Sequence, residues 1–510
     1  MELELERIQL NGYEMVLETT VFQEETLETI VPDACPDILR IVDTEGCAFL
    51  SGREASEGRA GFSGQVEAAV LYQPDGEEGI RRLTVTIPFS GSADGSRIDS
   101  RCRILSVPRV EGMETRILNP RKVLIRAGIA VELQVYIPIE DELCSGAADG
   151  GDGGVQQLCE TCRSYHIACV QEKPFSVADD VTLPGSKPEA ETLLKYRLGL
   201  ACGEAKTIGN KLIFKGNVAL QLLYQSRDGM LCDGLFELPF SQIMEVSNSG
   251  EESDSSVEVT AVRCTVSLED GGDGRTIHVG LELLAQAVLF TEQSFPMLTD
   301  MYSVSYALET ETRAQTLDHL IERSSKAPAL REVIESGELA EEVVDAYLSV
   351  GRLEQRREEG HLVLEAEIRA TALCRMSSGS LETVSKVFRV PCTLDLPDGC
   401  RCICACRCPE PLFAAPTTGG VEVRFAVEFR YLALQSVTAI GISAARLDMD
   451  APRAQECQPS IVLRMVGKGE RLWDIAKACG TTMADIRQAN ELEEDCLPDG
   501  QLLLIPRKRA

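Results

Sequence analysis

The chain has 510 residues, and at roughly 100 to 200 residues per domain this length predicts three to five domains rather than a single core. Hydrophobic residues make up 44% and charged residues 26% of the chain, which excludes a disordered chain and a collagen-like fibre. The formal net charge is −31, from 50 Lys and Arg against 81 Asp and Glu. A surface this acidic repels phosphate backbones and anionic lipid headgroups. Nucleic acid is therefore a poor candidate partner.

The beginning of the chain lacks the features of an export signal. Residues 1–7 have neither a basic stretch nor a continuous apolar stretch. The most apolar run, residues 281–290, is interrupted by Glu282 and Gln286, so it does not predict a membrane-spanning segment. We therefore expect a cytoplasmic protein without membrane insertion. In that compartment the 20 cysteines are predicted to be reduced thiols that pack as small apolar residues.

Three sequence elements recur along the chain. A proline-rich element at residues 31–42 recurs at residues 183–194, with both prolines displaced by 152 residues. An apolar run that ends in Tyr72 and an Asp-Gly turn recurs at Tyr224. The strand that ends at Pro88 recurs at Pro239, and a weaker third copy ends at Pro391. Elements that recur in one register predict tandem modules of the same fold.

Each copy has the pattern of β structure. Val66, Ala68 and Val70 alternate with their neighbours before a turn, which is typical of antiparallel hairpins with one buried face. In the third copy, residues 316–344 carry apolar side chains at helical spacing around Leu317, so this segment is predicted to be a helix. We expect several strands and about one short helix in each copy.

Shifts in composition set the predicted boundaries. Residues 145–154 are glycine-rich and predict a flexible linker, residues 247–256 predict an exposed loop, and residues 450–460 join the repeats to the tail. The predicted domains are residues 1–145, 155–300, 301–450 and 460–507. The predicted fold class is multidomain and mainly β: three tandem β-rich modules, followed by a small α+β domain with the order strand, helix, helix, strand.

The tail is a module of a different kind. Gly469 begins the run G-E-R-L-W-D-I-A, Gly480 ends the first predicted helix, and Asn490 ends the second. A closing strand follows in L-P-D-G-Q-L-L-L-I-P at residues 497–506. In these motifs, and in their order, the tail resembles a LysM domain over its whole length.

The LysM resemblance implies a shallow groove between the loop before the first helix and the loop after the second. In that family, backbone amides and small side chains of the groove meet the N-acetyl groups of glycans. By motif position the groove residues are Lys468, Gly469, Glu470, Arg471, Leu472, Asn490, Glu491 and Leu492. The family usually has a small Thr or Ser where this chain has Arg471, which predicts a crowded or altered groove. Trp473, the only tryptophan, is predicted to lie in the core.

The whole chain resembles the SPOCS-domain proteins of endospore-forming bacteria, which are spore-coat morphogenetic factors. The resemblance rests on the P-x-x-x-P pattern at residues 32–36, on L-Y-x-x-D-G at residues 71–76, and on the LysM-like tail. It implies that the tail binds a protein, the ATPase of the coat basement layer, at the forespore surface in the mother-cell cytosol. Arg471 is then expected to contact protein rather than sugar.

Two cysteine groups are candidate metal sites. Cys159, Cys162, His166 and Cys169 offer four plausible ligands, but on a strand the middle two point away from the outer two. The alternating cysteines at residues 400–408 would stand about 6.6 Å apart along one strand face, whereas ligands of one zinc ion need about 3.8 Å. We predict small apolar packing for both groups, with metal binding as the alternative, and no cofactor.

The sequence contains no recognisable catalytic motif. None of its four histidines lies in an H-E-x-x-H pattern, and there is neither a G-x-S-x-G elbow nor a phosphate-binding loop. We therefore predict that the protein is not an enzyme. The leading hypothesis is a sporulation assembly protein that tethers the spore coat to the forespore through protein contacts of its LysM-like and SPOCS-like modules. The alternative is a LysM-mediated peptidoglycan-binding protein of the cell wall or spore cortex.

Overall fold

The computed structural model describes residues 1–148, 154–247, 253–269, 271–452, 461–492, 495 and 497–506. In this part the chain forms 23 β-strands and two α-helices. The predicted mainly β fold is therefore confirmed. None of the helices found among these residues is long and apolar enough to cross a membrane.

The first copy consists of six antiparallel strands in two layers. The strands are β1 (Leu5–Ile30), β2 (Ile38–Ser56), β3 (Arg59–Pro74), β4 (Arg81–Asp94), β5 (Arg103–Asn119) and β6 (Lys122–Ala147). One layer is the sheet β2-β3-β4, and the other has the order β1-β6-β5. Val66 from β3 and Ile125 and Ile129 from β6 are fully buried in the core between the layers. The side chains that alternate as apolar residues in the sequence are thus buried between the two layers, as the pattern predicts.

The second copy repeats this layout strand for strand. Its strands are β7 (Val155–Thr182), β8 (Ala190–Ile208), β9 (Lys211–Ser226), β10 (Leu231–Glu245), β11 (Asp254–Leu268) and β12 (Thr276–Ser303). One layer is β8-β9-β10, and the other, β11-β12-β7, joins that of the first copy in a six-stranded sheet. The join between β1 and β7 is the pair Tyr13 and Ile167.

The third copy has the same order, with its outer strands broken in two. Its strands are β13 (Tyr306–Lys326), β14 (Ala329–Glu335), β15 (Ala340–Glu358), β16 (His361–Met376), β17 (Leu381–Leu394), β18 (Arg401–Arg407), β19 (Phe413–Thr417), β20 (Gly420–Ala426) and β21 (Glu428–Pro452). The inner layer is β15-β16-β17, and the broken strands form the sheets β13-β21-β18 and β14-β20-β19.

The predicted helix at residues 316–344 is wrong, because this segment contains the end of β13, all of β14 and the start of β15. Leu317 pairs with Val437 of β21 and is 5% exposed, whereas Leu320 and Ile321 are 39% and 41% exposed. The three residues therefore do not share a buried face, and the helical spacing is accidental. Long pairing with β21 outweighs local propensity here. The expected short helix per copy is likewise absent from the described residues of all three copies.

The repeated tyrosine has a structural role. Tyr72 donates its hydroxyl to the carbonyl of Pro36 at 3.4 Å, and Tyr224 donates to the carbonyl of Pro188 at 3.0 Å. Both tyrosine side chains are fully buried. The third copy has Cys374 at this position in the strand pairing. The tyrosine therefore anchors the proline-rich element in two copies, and its loss accompanies the weaker third copy.

Equivalent positions of the three copies meet at one place. Asp43 on β2, Lys195 on β8 and Asp345 on β15 each pair with a leucine of the neighbouring strand in the same register. Lys195 contacts Asp43 directly and lies 2.7 Å from Asp345, and the three side chains are 2–3% exposed. The three copies therefore pack around a common centre and are not independent domains in a linear array.

A second layer of equivalent residues lies beside the first. Arg197 Nη2 donates to Glu45 at 2.9 Å and its guanidinium lies 4.4 Å from the ring of Tyr347. Lys195 lies 2.8 Å from Glu45, and Arg197 also contacts Asp345. These contacts link all three copies. We call the following set the central cluster: Asp43, Glu45, Lys195, Arg197, Asp345 and Tyr347.

The predicted linkers lie partly outside the described residues. Of residues 145–154, 149–153 lie outside, and β6 continues to Ala147. Of the predicted loop at 247–256, residues 248–252 lie outside and Asp254 begins β11. Residues 453–460 of the last predicted linker also lie outside. The boundary predicted after residue 300 falls within β12.

The C-terminal module has the predicted order of strand, helix, helix and strand. Its elements are β22 (Ile461–Met465), α1 (Leu472–Cys479), α2 (Met483–Asn490) and β23 (Leu502–Pro506). Gly480 ends α1 in the left-handed conformation with φ 64°, and Thr482 caps α2 by accepting a hydrogen bond from Asp485 N at 3.0 Å. Leu472, Ile475 and Ile486 form its core with Leu503 and Ile505.

Candidate functional site

The first rim of the predicted groove is the loop between β22 and α1. Glu470 holds this loop, because its carboxylate accepts a hydrogen bond from Gly467 N at 3.0 Å and contacts Arg464. Gly469 has φ 68°, which favours glycine, and its N–H donates to Asp499 Oδ1 at 3.2 Å. The loop is therefore fixed to itself and to the turn that precedes β23.

The second rim is the end of α2, and Asn490 fixes it to β23. The Asn490 amide donates to the carbonyls of Ile486 at 2.8 Å and Leu504 at 2.6 Å, and its oxygen accepts from Leu504 N at 2.7 Å. Glu491 has φ 53° and ends the helix in the left-handed conformation. Both rims are thus anchored to residues 499–504, so they keep a fixed relation to each other.

The eight predicted groove residues have different environments. Lys468, Gly469, Arg471 and Glu491 are exposed, while Leu472 is buried in the module's core. The remaining three, Glu470, Asn490 and Leu492, are half-buried. Glu470 and Asn490 use their polar groups to hold the rims. The groove therefore offers a ligand its exposed backbone and the exposed side chains of Lys468, Arg471 and Glu491.

Arg471 is exposed, and its guanidinium pairs with two carboxylates of its own protein. Its Nε donates to Asp474 Oδ2 at 3.0 Å, and its Nη1 lies 3.4 Å from Glu160 Oε1 on β7. The hydrogen bond from Arg471 lowers the pKa of the Asp474 carboxyl. Arg471 therefore links the module to the second copy of its own chain. Its expected contact with a partner protein stays a prediction.

The module docks on the second copy through Trp473. The indole Nε1 donates to Asp300 Oδ2 at 2.8 Å, and Lys477 donates to Asp300 Oδ1 at 2.7 Å. The Tyr302 ring packs edge-on against Trp473 with centroids 4.9 Å apart, and its hydroxyl donates to the Thr481 carbonyl at 2.8 Å. Trp473 is 4% exposed, so the prediction that it lies in a core is confirmed. That core extends beyond the module.

One face of the module's sheet is apolar and exposed. The side chains of Ile461, Leu463 and Met465 alternate along β22 and are 57–67% exposed. Leu502, which pairs with Met465, is 57% exposed. Large apolar side chains grouped at such exposure are typical of interaction surfaces.

The four candidate metal ligands of the second copy all lie on β7. Cys159 donates to the Ser145 carbonyl at 3.2 Å, Cys169 is buried, and burial lowers the pKa of His166. Among the described residues, no group of three or more His, Cys, Asp or Glu side chains is placed to hold a metal ion. The structure thus does not bring Cys159, Cys162, His166 and Cys169 together as a metal site.

The alternating cysteines of the third copy pack against its core. Cys402 and Cys406 lie on β18, opposite Ala433 and Phe429 of β21, and both are buried. Burial raises the pKa of each of these two thiols to about 12. They are therefore protonated at neutral pH and act as small apolar residues, as the sequence predicts.

The sequence did not lead us to expect the chamber that lies between the three copies. Its volume is about 1190 Å³, and residues of all three copies line it. Charged residues inside apolar strands could have indicated it, since Glu132 lies between the buried Val131 and Leu133. The opposite charges of Asp43 and Lys195 at equivalent repeat positions are a second such signal.

Comparison with known proteins identifies the module but not the repeats. No curated protein matches the chain. Residues 465–506, which include both rims of the groove, match the model of the LysM domain.

Proposed function

We propose that the chain binds N-acetylglucosamine-containing glycans of peptidoglycan through the LysM groove, and that it works by binding rather than by catalysis. The observation that carries the proposal is the LysM match over residues 465–506, within which both rims are fixed and exposed. Neutral N-acetyl groups are recognised by hydrogen bonds and packing rather than by charge. The net charge of −31 is therefore no obstacle to such a ligand.

The docking of the module supports this proposal. Trp473, Lys477 and Tyr302 fix α1 against the second copy, whereas the two rims remain exposed. The groove is thus presented from a rigid platform, and little conformational freedom is lost when a glycan binds.

Glu470→Ala is expected to weaken binding of the full chain to peptidoglycan about tenfold, since it removes the acceptor that orders the first rim, a hydrogen bond worth about 1.4 kcal/mol. Glu470→Gln is the matched control, because its amide oxygen still accepts from Gly467 N. We expect Glu470→Gln to bind nearly as well as the unaltered chain. Cosedimentation with insoluble peptidoglycan over a concentration series measures both.

N-deacetylated peptidoglycan is the control for the ligand. The proposal requires the N-acetyl group, so cosedimentation is expected to fall to background on the deacetylated material. Equal binding to both forms would show that the interaction is not LysM recognition. Equal binding by the Glu470→Ala and Glu470→Gln variants would show that the first rim makes no contribution.

A second candidate function is favoured by the exposed apolar face of β22 and β23. In this proposal the chain is a sporulation assembly protein, as its resemblance to SPOCS-domain proteins implies. It acts in the mother-cell cytosol, and the LysM module docks on the ATPase of the coat basement layer. The face formed by Ile461, Leu463, Met465 and Leu502 supplies the apolar surface that a protein contact needs.

Leu463→Asp is expected to abolish copurification with this ATPase from sporulating cells. Leu463 is 64% exposed, so the module should remain folded and still match the unaltered chain in circular dichroism. Glu470→Ala serves as the opposite control, because it alters the groove and leaves the apolar face intact. Undiminished capture by Leu463→Asp would rule out this face as the docking surface.

A further inference from the structure

The proline that recurs in all three copies lies on an outer edge of each copy. Pro88 is on β4, Pro239 on β10 and Pro391 on β17, and each of these strands pairs with a single neighbour among the described residues. All three prolines are exposed. An edge strand carries unpaired backbone N–H and C=O groups, which can pair with a strand of another molecule. The effect of a proline on that pairing depends on where its nitrogen faces.

In the second copy, the nitrogen of Pro239 faces outward. Residues of an antiparallel strand alternate between positions that exchange hydrogen bonds with the paired strand and positions that do not. Ser226 N donates to the Met230 carbonyl at 2.8 Å, so Met230 is a position of the first kind. Pro239 follows an odd number of residues later, in a ladder without a register shift. Its nitrogen therefore faces away from β9, towards the open edge.

The other two copies have the same arrangement. In the third copy, the Ser380 carbonyl accepts a hydrogen bond from a backbone N–H of β16 at 2.8 Å, and Pro391 follows an odd number of residues later. In the first copy, Gly95 N donates to the carbonyl of the residue before β3 at 3.0 Å, and Pro88 precedes Gly95 by an odd number of residues. Neither ladder has a register shift. All three prolines thus remove a donor from the outward side of their strand.

Lysine side chains occupy outward carbonyls on two of the same edges. Lys173 Nζ donates to the Ile243 carbonyl on β10 at 2.6 Å, and Lys326 Nζ donates to the Thr393 carbonyl on β17 at 2.8 Å. Each carbonyl belongs to a residue an even number of positions after the proline, so it faces the same side of the strand. These two edges thus lack a donor at one position and a free acceptor at another.

The outer edges otherwise have the character of pairing surfaces. Leu235 and Ile243 lie on either side of Pro239 along β10 and are 52% and 51% exposed. Val387 on β17 is 44% exposed. Edge strands with exposed apolar side chains are sites of association between molecules. The partner that fits is a second copy of this chain, because two identical edges paired antiparallel have the two-fold symmetry of common dimers.

We propose that the outer edges of the three copies are strand-pairing surfaces for a second copy of this chain, and that the repeated proline keeps them closed. Without an outward N–H, a hydrogen bond of the ladder cannot form, and the proline ring occupies space that the approaching strand needs. The exposed proline side chains add little to the core of their own copy. Their recurrence is therefore explained by the edge rather than by packing. This role is independent of the groove in the LysM module.

Sedimentation velocity of the full chain over a range of concentrations tests the proposal. The test variant combines Pro88→Thr, Pro239→Thr and Pro391→Thr, since threonine suits a strand and restores the N–H. We expect the triple variant to self-associate with a dissociation constant at least tenfold lower than that of the unaltered chain, because each pair of identical edges gains two hydrogen bonds. The matched control is Pro184→Thr, which alters an exposed proline in the loop before β8. It should sediment as the unaltered chain does.

Hydrogen exchange of the same samples locates the contact. The restored amide at position 239 should exchange rapidly in the monomer and slowly in the associated state. A triple variant that associates no more than the unaltered chain would overturn the proposal, as would equal association of Pro184→Thr. Association without slower exchange on the outer edges would place the contact elsewhere and reject it too. The unfolding midpoint checks that the triple variant is folded, and the three single variants carry the same test if it is not.

Discussion

Replacing Lys195 with Met is expected to destabilise the chain by about 3–5 kcal/mol, because it removes one partner of a buried ion cluster. The ammonium group is shared by Asp43, Glu45 and Asp345, which come from the first and third copies. Without it, Arg197 alone must balance three carboxylates. Urea unfolding followed by circular dichroism measures the change.

The charge state of the cluster supports this expectation. Burial by itself lowers the pKa of Lys195, but the three carboxylates more than offset it and raise the pKa well above its ordinary value. Burial raises the pKa of Asp345, but Lys195 and Arg197 outweigh it, so that pKa lies well below its usual range. A depressed carboxyl pKa stabilises the fold above its unfolded value of about 3.9 and loses that effect at lower pH. At pH 7 the stabilisation is fully present.

Lys187→Met is the matched control for this prediction. Lys187 lies in the same copy and pairs with Asp233 at 2.6 Å, but the two side chains are 38% and 56% exposed. Because exposed pairs contribute only about 0–1 kcal/mol, its loss should be small. An equal effect of the two lysine variants would contradict the special role of the centre.

A transposed variant tests the equivalence of the copies. Asp43 and Lys195 occupy the same register position in β2 and β8. Asp43→Lys combined with Lys195→Asp exchanges the two groups and keeps the composition of the cluster. We expect the double variant to be more stable than Lys195→Met. A double variant as unstable as Asp43→Lys alone would show that the two positions are not interchangeable.

The fold class and the module order could be predicted because their signals are local. Alternation around Val66 places every second side chain in a core, and the spacing from Gly469 to Pro506 contains a complete strand-helix-helix-strand unit. The helix predicted over residues 316–344 is wrong because three apolar residues at helical spacing are too few to distinguish a helix from a strand. Only pairing with the partner strand β21 decides between a helix and a strand here. The spacing of residues in the sequence does not reveal that pairing.

The meeting of the three copies was not predictable from one copy at a time. The repeat register shows that Asp43 and Lys195 are equivalent, but not that equivalent positions touch. In the groove, motif position located Glu470 and Asn490, yet their role in holding the rims follows from their contacts with Gly467 and Leu504. Residue type and spacing thus identify candidates, whereas long-range pairing determines which groups remain free for a ligand.

Truncating Tyr302 to Ala is expected to release the LysM module from the second copy. Tyr302 is 2% exposed, its ring contacts Trp473, and its hydroxyl binds the Thr481 carbonyl. Removing a buried aromatic ring costs about 3–5 kcal/mol. We expect this cost to fall on the docking contact, because most of the module's core lies within the module.

Trp473 reports this release directly, since it is the chain's only tryptophan. In Tyr302→Ala its emission should shift to longer wavelength as water reaches the indole, while the unfolding midpoint of the repeats stays unchanged. Tyr306→Ala, four residues further along the chain, is the control and should leave the emission as it is. An unshifted emission in Tyr302→Ala would mean that Asp300, which binds both Trp473 and Lys477, holds the module without the ring. Cosedimentation of the Tyr302→Ala variant with peptidoglycan then shows whether glycan binding depends on the docking of the module. If the groove needs only its own two rims, the released module binds peptidoglycan as well as the unaltered chain. If the groove must be held rigidly by the second copy, the released module binds more weakly.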